Sequence, residues 1–334
     1  ASMPVSSSGH RVDVDGAATG GPSPSWLCRP VAERSVTHHL NVDTRTDSGA
    51  GCEERAMAYK DILVVADDTP EGGKRAQYAI RLAARHDAHV MGMMLRDDLS
   101  FAGYAAADVF SANLNARREA ENAAHARVRE AFERRAKAEG VRHEWHSAEG
   151  DPVRTVSLFS RHADVVVIGQ SGRDGAAFGT SRDLAEHVVL ASGRPVIVVP
   201  RFGEFPKAGE RVMVAWDASR EAARAVADAL PVLQRAEEAV LFSVDPEERG
   251  DRHGPIPGAD LARHLARHGV NVKVEKLNAP DVPISDLILN RISDEGIDLL
   301  VMGAYGHSRV RELWLGGVTR DLMLRMTVPV LLSH

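Results

Sequence analysis

Residues 301–322 read VMGAYGHSRVRELWLGGVTRDL. An apolar run ends in Gly303, Gly306 follows three residues on, and after nine intervening residues comes the pair Gly316-Gly317. So much bare backbone just past a strand and at the start of a helix is suited to holding an anion. Unpaired N–H groups at a helix N-terminus carry partial positive charge, and glycines let a ligand approach them closely. Thr319 and Ser308 can add hydroxyls. No G-K-[ST] follows, so this is not a Walker A loop, and there is no G-x-G-x-x-G after the first strand of the unit.

Working outward, the chain repeats itself with a period near 140 residues, too long for a solenoid unit and right for a duplicated domain. DILVVADDT (61–69) answers to RVMVAWDAS (211–219), and HADVVVIGQSG (162–172) to GIDLLVMGAYG (296–306). GRPVIVVP (193–200) answers to TVPVLLSH (327–334). In the first copy, period and punctuation predict strands at 61–66, 89–95, 141–146, 164–168 and 195–199. Helices are expected between them at 72–86, 112–139, 152–161 and 182–192. The second copy predicts strands at 211–216, 239–244, 270–275, 298–302 and 329–333. Its helices are expected at 220–236, 258–268, 283–295 and 317–326, with Pro231 a kink or break in the first. Several strands are apolar throughout, as strands covered by helices on both faces are. Each copy is therefore an α/β sandwich on a five-stranded sheet, and ligands of such sheets bind at the carboxyl ends of the strands.

Composition excludes several function classes. The chain has 334 residues, net charge −6 and a pI near 6.2, which disfavours nucleic acid as a partner. No apolar run reaches a membrane span. The two cysteines, Cys28 and Cys52, fit no zinc or redox spacing, which suits a reducing cytoplasm. Residues 1–57 are rich in Ser, Gly, Thr, Asp and Pro and are expected to be disordered. Met57 opens MAYKDILVVADD and is expected to be the natural start, with the residues before it lying upstream.

Strand pattern, acidic residue, glycine spacing and terminal proline recur twice in order, and together they resemble the universal stress protein (UspA) family over roughly 58–334. The family's nucleotide signature is G-x2-G-x9-G-[ST], and Gly303, Gly306 and Gly316 fit it, with Gly317 in place of the hydroxyl residue. The resemblance implies Rossmann-type sandwiches of the adenine nucleotide α-hydrolase-like class, five parallel strands each, in the order 3-2-1-4-5. It implies a tandem protein with domains at 58–202 and 211–334 and a linker at 203–210. The closing strands of the two domains are expected to meet, and a homodimer of the whole is expected as well.

For the second domain the resemblance implies a cleft for ATP or AMP, with Mg²⁺. Asp217 would lie near the ribose or metal, and Val244 against the adenine. Met302, Gly303, Gly306, Gly316, Gly317, Val318 and Thr319 would hold ribose and phosphates. The first domain carries Asp67, Gly169 and Gly172, but Gly179-Thr180 follows after six residues, not nine. Counting back from Pro195 as from Pro329 places Arg182 and Asp183 at the phosphate position without a gap. A carboxylate there repels an anion, so the first site is expected to be degenerate.

Other readings stay open beside these. Asp217 serves equally as a helix cap, and His307 and Arg309 as a solvated loop face. The i, i+4 pair His264 and His268 is a metal pair only with a further ligand. The charge-laced helix 113–139 reads as a solvated face or a partner surface. The function expected is a non-catalytic stress-response module that binds an adenine nucleotide. The alternatives are a scaffold that binds none and a slow nucleotide hydrolase.

Overall fold

The computed structural model describes residues 36–38, 58–96, 110–171, 183–244, 258–279, 281–305 and 317–334. The disorder expected over 1–57 lies outside the described residues but for one short strand. So do Met57, Cys28, Cys52, Ser308, His307 and Arg309, and of the site residues Gly172, Arg182, Gly306 and Gly316.

The elements run β1 (Val36–His38), β2 (Asp61–Ala66), α1 (Pro70–His86), β3 (His89–Arg96), α2 (Phe110–Ala138) and β4 (Arg142–Glu149). Then follow α3 (Pro152–Ser160), β5 (Val165–Gly169), α4 (Leu184–Ala191) and β6 (Val196–Val199). The second half continues β7 (Arg211–Ala215), α5 (Arg220–Leu233), β8 (Glu238–Val244), α6 (Ala259–Arg267) and β9 (Val272–Leu277). It ends with α7 (Ile284–Asp294), β10 (Leu299–Gly303), α8 (Gly317–Arg325) and β11 (Val330–Ser333).

Strand order explains how two copies become one body. The sheet has eleven strands in the order β1-β9-β8-β7-β10-β11-β6-β5-β2-β3-β4. Each half shows the order 3-2-1-4-5, counted along its own strands, and pairs in parallel throughout. The halves join where β11 pairs antiparallel with β6, Leu331 opposite Ile197, so two five-stranded sheets run on as one. The three residues of β1 add an antiparallel edge strand on β9.

Alternation along the strands sorts the core into two layers. Ile62 and Val64 of β2 belong to one apolar layer with Tyr78, Phe132, Leu233 and Leu265, beneath α1, α2, α5 and α6. Leu63 and Val65 of the same strand belong to a second layer with Val156, Val188, Ile288 and Leu322, beneath α3, α4, α7 and α8. The two-residue period of a strand covered on both faces is the cause. Pro231 does not break α5: it is the twelfth of the helix's fourteen residues and is buried. The proline forgoes only its own bond to the carbonyl four residues back, and the helix runs on to Leu233. α2 is less solvated than its charges suggest, with Phe132, Ala136, Glu121 and His125 all buried.

Candidate functional site

The carboxyl ends of β7, β8 and β10 open into a cleft of about 160 Å³ between α5 on one side and α7 and α8 on the other. It is lined by seven of the nine nucleotide-binding residues expected from sequence: Asp217, Val244, Met302, Gly303, Gly317, Val318 and Thr319. The other two, Gly306 and Gly316, lie outside the described residues. The cleft also takes Trp216, Ser219, Glu221, Phe242, Ile284 and Tyr305, none of which was expected there from the sequence.

Asp217 does not cap α5. Ser219 does, its hydroxyl accepting from the Ala222 N–H at 3.1 Å. Asp217 stands one step behind and accepts from the Ser219 N–H at 3.0 Å and its hydroxyl at 2.6 Å. The cap is thus a relay, and the acidic side chain stays on the cleft wall. Ala218, next in the chain, holds φ at +57°, and Tyr305 holds +63°. Both are left-handed conformations that non-glycine residues seldom adopt, and both border the cleft.

The glycines divide their roles. A methyl on Gly303 would lie 2.5 Å from the Ala222 nitrogen and 2.6 Å from the Glu221 carbonyl carbon. Its bare side therefore lets the first turn of α5 close onto β10. Gly317 is different: a methyl there meets none of the described residues within 4 Å, at the first residue of α8, where the N–H groups have no partner within the helix. Thr319, two residues on, is buried. Glu221 is buried on the opposite wall, and Arg220 bonds it at 2.5 Å. Burial pushes its carboxyl up, but Arg220, the residue's own backbone N–H and His334 together hold it below the usual carboxylate range.

The corresponding place in the first half is built otherwise. Thr69 caps α1, and Asp67 accepts from the Thr69 N–H at 3.1 Å, repeating the relay. Here, however, the second carboxylate oxygen of Asp67 is held by Arg75 at 2.6 Å. The Arg75 Nε donates to the Val65 carbonyl at 2.6 Å, and the side chains of both residues are nearly buried. Burial raises the Asp67 carboxyl, and Arg75 and Thr69 together bring it below the usual range. The guanidinium lies against Gly169. Asp183 is exposed at the start of α4 and makes no side-chain cap bond.

The rings of His264 and His268 lie 4.7 Å apart, and among the described residues no three metal-binding side chains gather. No helix among those residues is long and apolar enough to cross a membrane.

A doubly wound α/β sheet in tandem, with a cleft at the carboxyl ends of the second half's strands, defines the class. The sequence model of the Universal stress protein family matches residues 58–200 and again 209–334, and the chain belongs to that family. Universal stress protein Slr1230 of Synechocystis is 27% identical over 171 residues, which are 50% of this chain and 57% of that protein. Universal stress protein MJ0577 of Methanocaldococcus jannaschii is 31% identical over 62 residues, 19% of this chain and 38% of that one. The alignments thus span less than two-thirds of either relative. Among solved structures, a universal stress protein of Archaeoglobus fulgidus superposes with a TM-score of 0.60 at 20% identity. That superposition covers 82% of this chain and 97% of the other, and it supports the fold.

Proposed function

We propose that the second domain binds an adenine nucleotide, ATP with Mg²⁺ or AMP, and that the chain acts through this binding as a non-catalytic stress-signalling module. The observation that carries the reading is the polarity of the cleft. Phe242, Val244 and Ile288 offer an apolar wall to a base. Asp217 offers a carboxylate to ribose hydroxyls. Gly317 and Thr319 offer the N-terminus of α8 to phosphate, where partial positive charge and bare backbone coincide. Glu221 on the far wall disfavours a naked polyphosphate, which is the reason for including Mg²⁺ with ATP. A partner surface of the cytoplasmic, homodimeric protein then reads the occupied state.

Gly317→Glu tests it. The new side chain meets none of the described residues within 4 Å, so the fold is expected to be retained, but it sets a carboxylate where phosphate belongs. The parent is expected to bind AMP or Mg-ATP at one site per chain in calorimetric titration. The variant should lose at least about tenfold in affinity, roughly 1.4 kcal/mol, with an unchanged unfolding temperature. A parent that binds neither ligand overturns the reading and leaves the scaffold. Release of ADP on incubation makes the protein the slow hydrolase.

A further inference from the structure

A second cavity, of about 530 Å³, lies between α1 and α2 at the carboxyl end of β2. Its volume falls within the ~300–1,000 Å³ of small-molecule sites. It differs in place from the second half's cleft. Ala76 and Phe132 on its wall belong to one core layer, whereas Phe242, Val244, Ile288 and Met302 of that cleft belong to the other. Val128 and Ala131 extend the apolar wall, and Arg127, Glu130, Arg134 and Arg135 supply the charge of the α2 side.

Those charges are not balanced. Asp67 is held by Arg75 and Asp68 by Arg127, each at 2.6 Å. Among the lining residues that leaves Arg134 and Arg135 against the exposed Glu130 alone. Neither arginine side chain has a hydrogen bond or an ion pair among the described residues. Arg135 lies over the first turn of α1, where a methyl built on Gly73 would stand 3.2 Å from its guanidinium. A cation is repelled at that end of a helix, where the backbone carries partial positive charge. Glu71 of the same turn does not line the cavity. The second half is built otherwise. Gly73 answers to Ala223, as Asp67 does to Asp217. Counting back from Val141 and Val270, Arg134 answers to Arg263, Arg135 to His264 and Ala131 to Asp260. In α6 Arg263 is tied to Asp260. The first half thus lacks both the carboxylate that would occupy Arg134 and the methyl that would crowd Arg135.

We infer that this cavity is a binding site for a small phosphate monoester, its phosphate held by Arg134 and Arg135 and its organic part set against Ala76, Val128, Ala131 and Phe132. Two guanidinium groups on one wall offer two donor forks. A carboxylate has oxygens for one fork, whereas the three terminal oxygens of a phosphate monoester serve both. The anion supplies the counter-charge that the two arginines and the first turn of α1 lack. The site is independent of the nucleotide reading of the second domain.

The test is calorimetric titration of the full chain with phenyl phosphate, beside inorganic phosphate, benzoate and phenol. Phenyl phosphate is expected to bind at one equivalent and more tightly than the other three. Arg134→Gln/Arg135→Gln should weaken it at least about tenfold. Gly317→Glu, which alters the other cleft, should bind it as the parent does. A second measurement needs no variant: phenylglyoxal modification of the parent's arginines, mapped by mass spectrometry. Phenyl phosphate should protect Arg134 and Arg135 and leave the exposed Arg118 of the same helix reactive. A parent that does not bind phenyl phosphate, a double variant that binds it unchanged, or a Gly317→Glu variant that loses it overturns the inference, and so does equal protection of all three arginines. AMP binding in the second domain would be lost with Gly317→Glu and kept without the arginine pair, so either reading can fail alone.

Discussion

One carboxylate fixes where the second domain begins. Asp298, at the entry to β10, accepts from the Gly209, Glu210 and Arg211 backbone N–H groups at 2.6 to 3.0 Å. Asp164 does the same in the first half with fewer bonds, accepting from Lys60 at 2.6 Å and Asp61 at 3.1 Å. Both aspartates were visible in sequence as the residue before an apolar strand. What they clamp lies about ninety residues or more upstream and shows only in the folded chain. Hydrogen bonds to a charged acceptor contribute about 1.5–3 kcal/mol each, and those of Asp298 are less exposed. Asp298→Ala is therefore expected to cost about 3 kcal/mol or more, and Asp164→Ala about half that, read from urea midpoints. Equal costs would mean that burial does not separate the two clamps.

At the scale of the element, helix entry is decided by D-x-[ST], with the hydroxyl as cap and the acid behind it. Ser219→Ala should cost about 1 kcal/mol, seen as a lower melting temperature, and should loosen Asp217 enough to weaken AMP binding. A variant that melts like the parent would show that Asp217 takes over the cap. The elements themselves were legible: apolar runs of strand length alternating with helical periodicity place all ten strands of the two copies within three residues, the largest miss being the end of β4. The cleft was legible only along its glycine-bearing edge. Glu221, Ile284 and Ile288 lie on helices where their spacing says no more than that one face is buried, and their convergence is tertiary. Arg75 was missed for a related reason. An arginine in the second turn of a helix reads as solvated, and only comparison with Ala225 marks its position as interior. Of the kink or break that Pro231 offered, the structure shows no break: the helix continues through it.

Across the whole molecule, the halves touch beyond their shared sheet. Tyr59 donates to the Asp228 carbonyl at 2.9 Å, Arg81 to the Phe205 carbonyl at 2.9 Å, and Arg85 to the Arg235 carbonyl. His86 lies buried beside these contacts, with its ring 4.8 Å from that of Tyr59 and no bonding partner for either nitrogen. Burial, then the nearby Arg235, Arg85 and Lys60, push its pKa down to about 3. The sign follows directly. Below about pH 6.5 the unfolded chain takes up a proton there, and the folded chain refuses it until about pH 3. Stability is thus lost as pH falls through that window, by at most about 1.4 kcal/mol per unit from this group. His86→Phe should flatten the decline in urea midpoint between pH 7 and pH 5. An identical slope in parent and variant would place the acid sensitivity elsewhere.

The join of β6 to β11 has one more consequence. Two single-domain chains paired through such strands would separate on dilution, and either could exchange its mate for an identical copy. Here the pairing is covalent in origin and its local concentration never changes. The pairing of these two halves is therefore the same at every protein concentration. Each half is also guaranteed an unlike neighbour, so the two can diverge in sequence without losing the join.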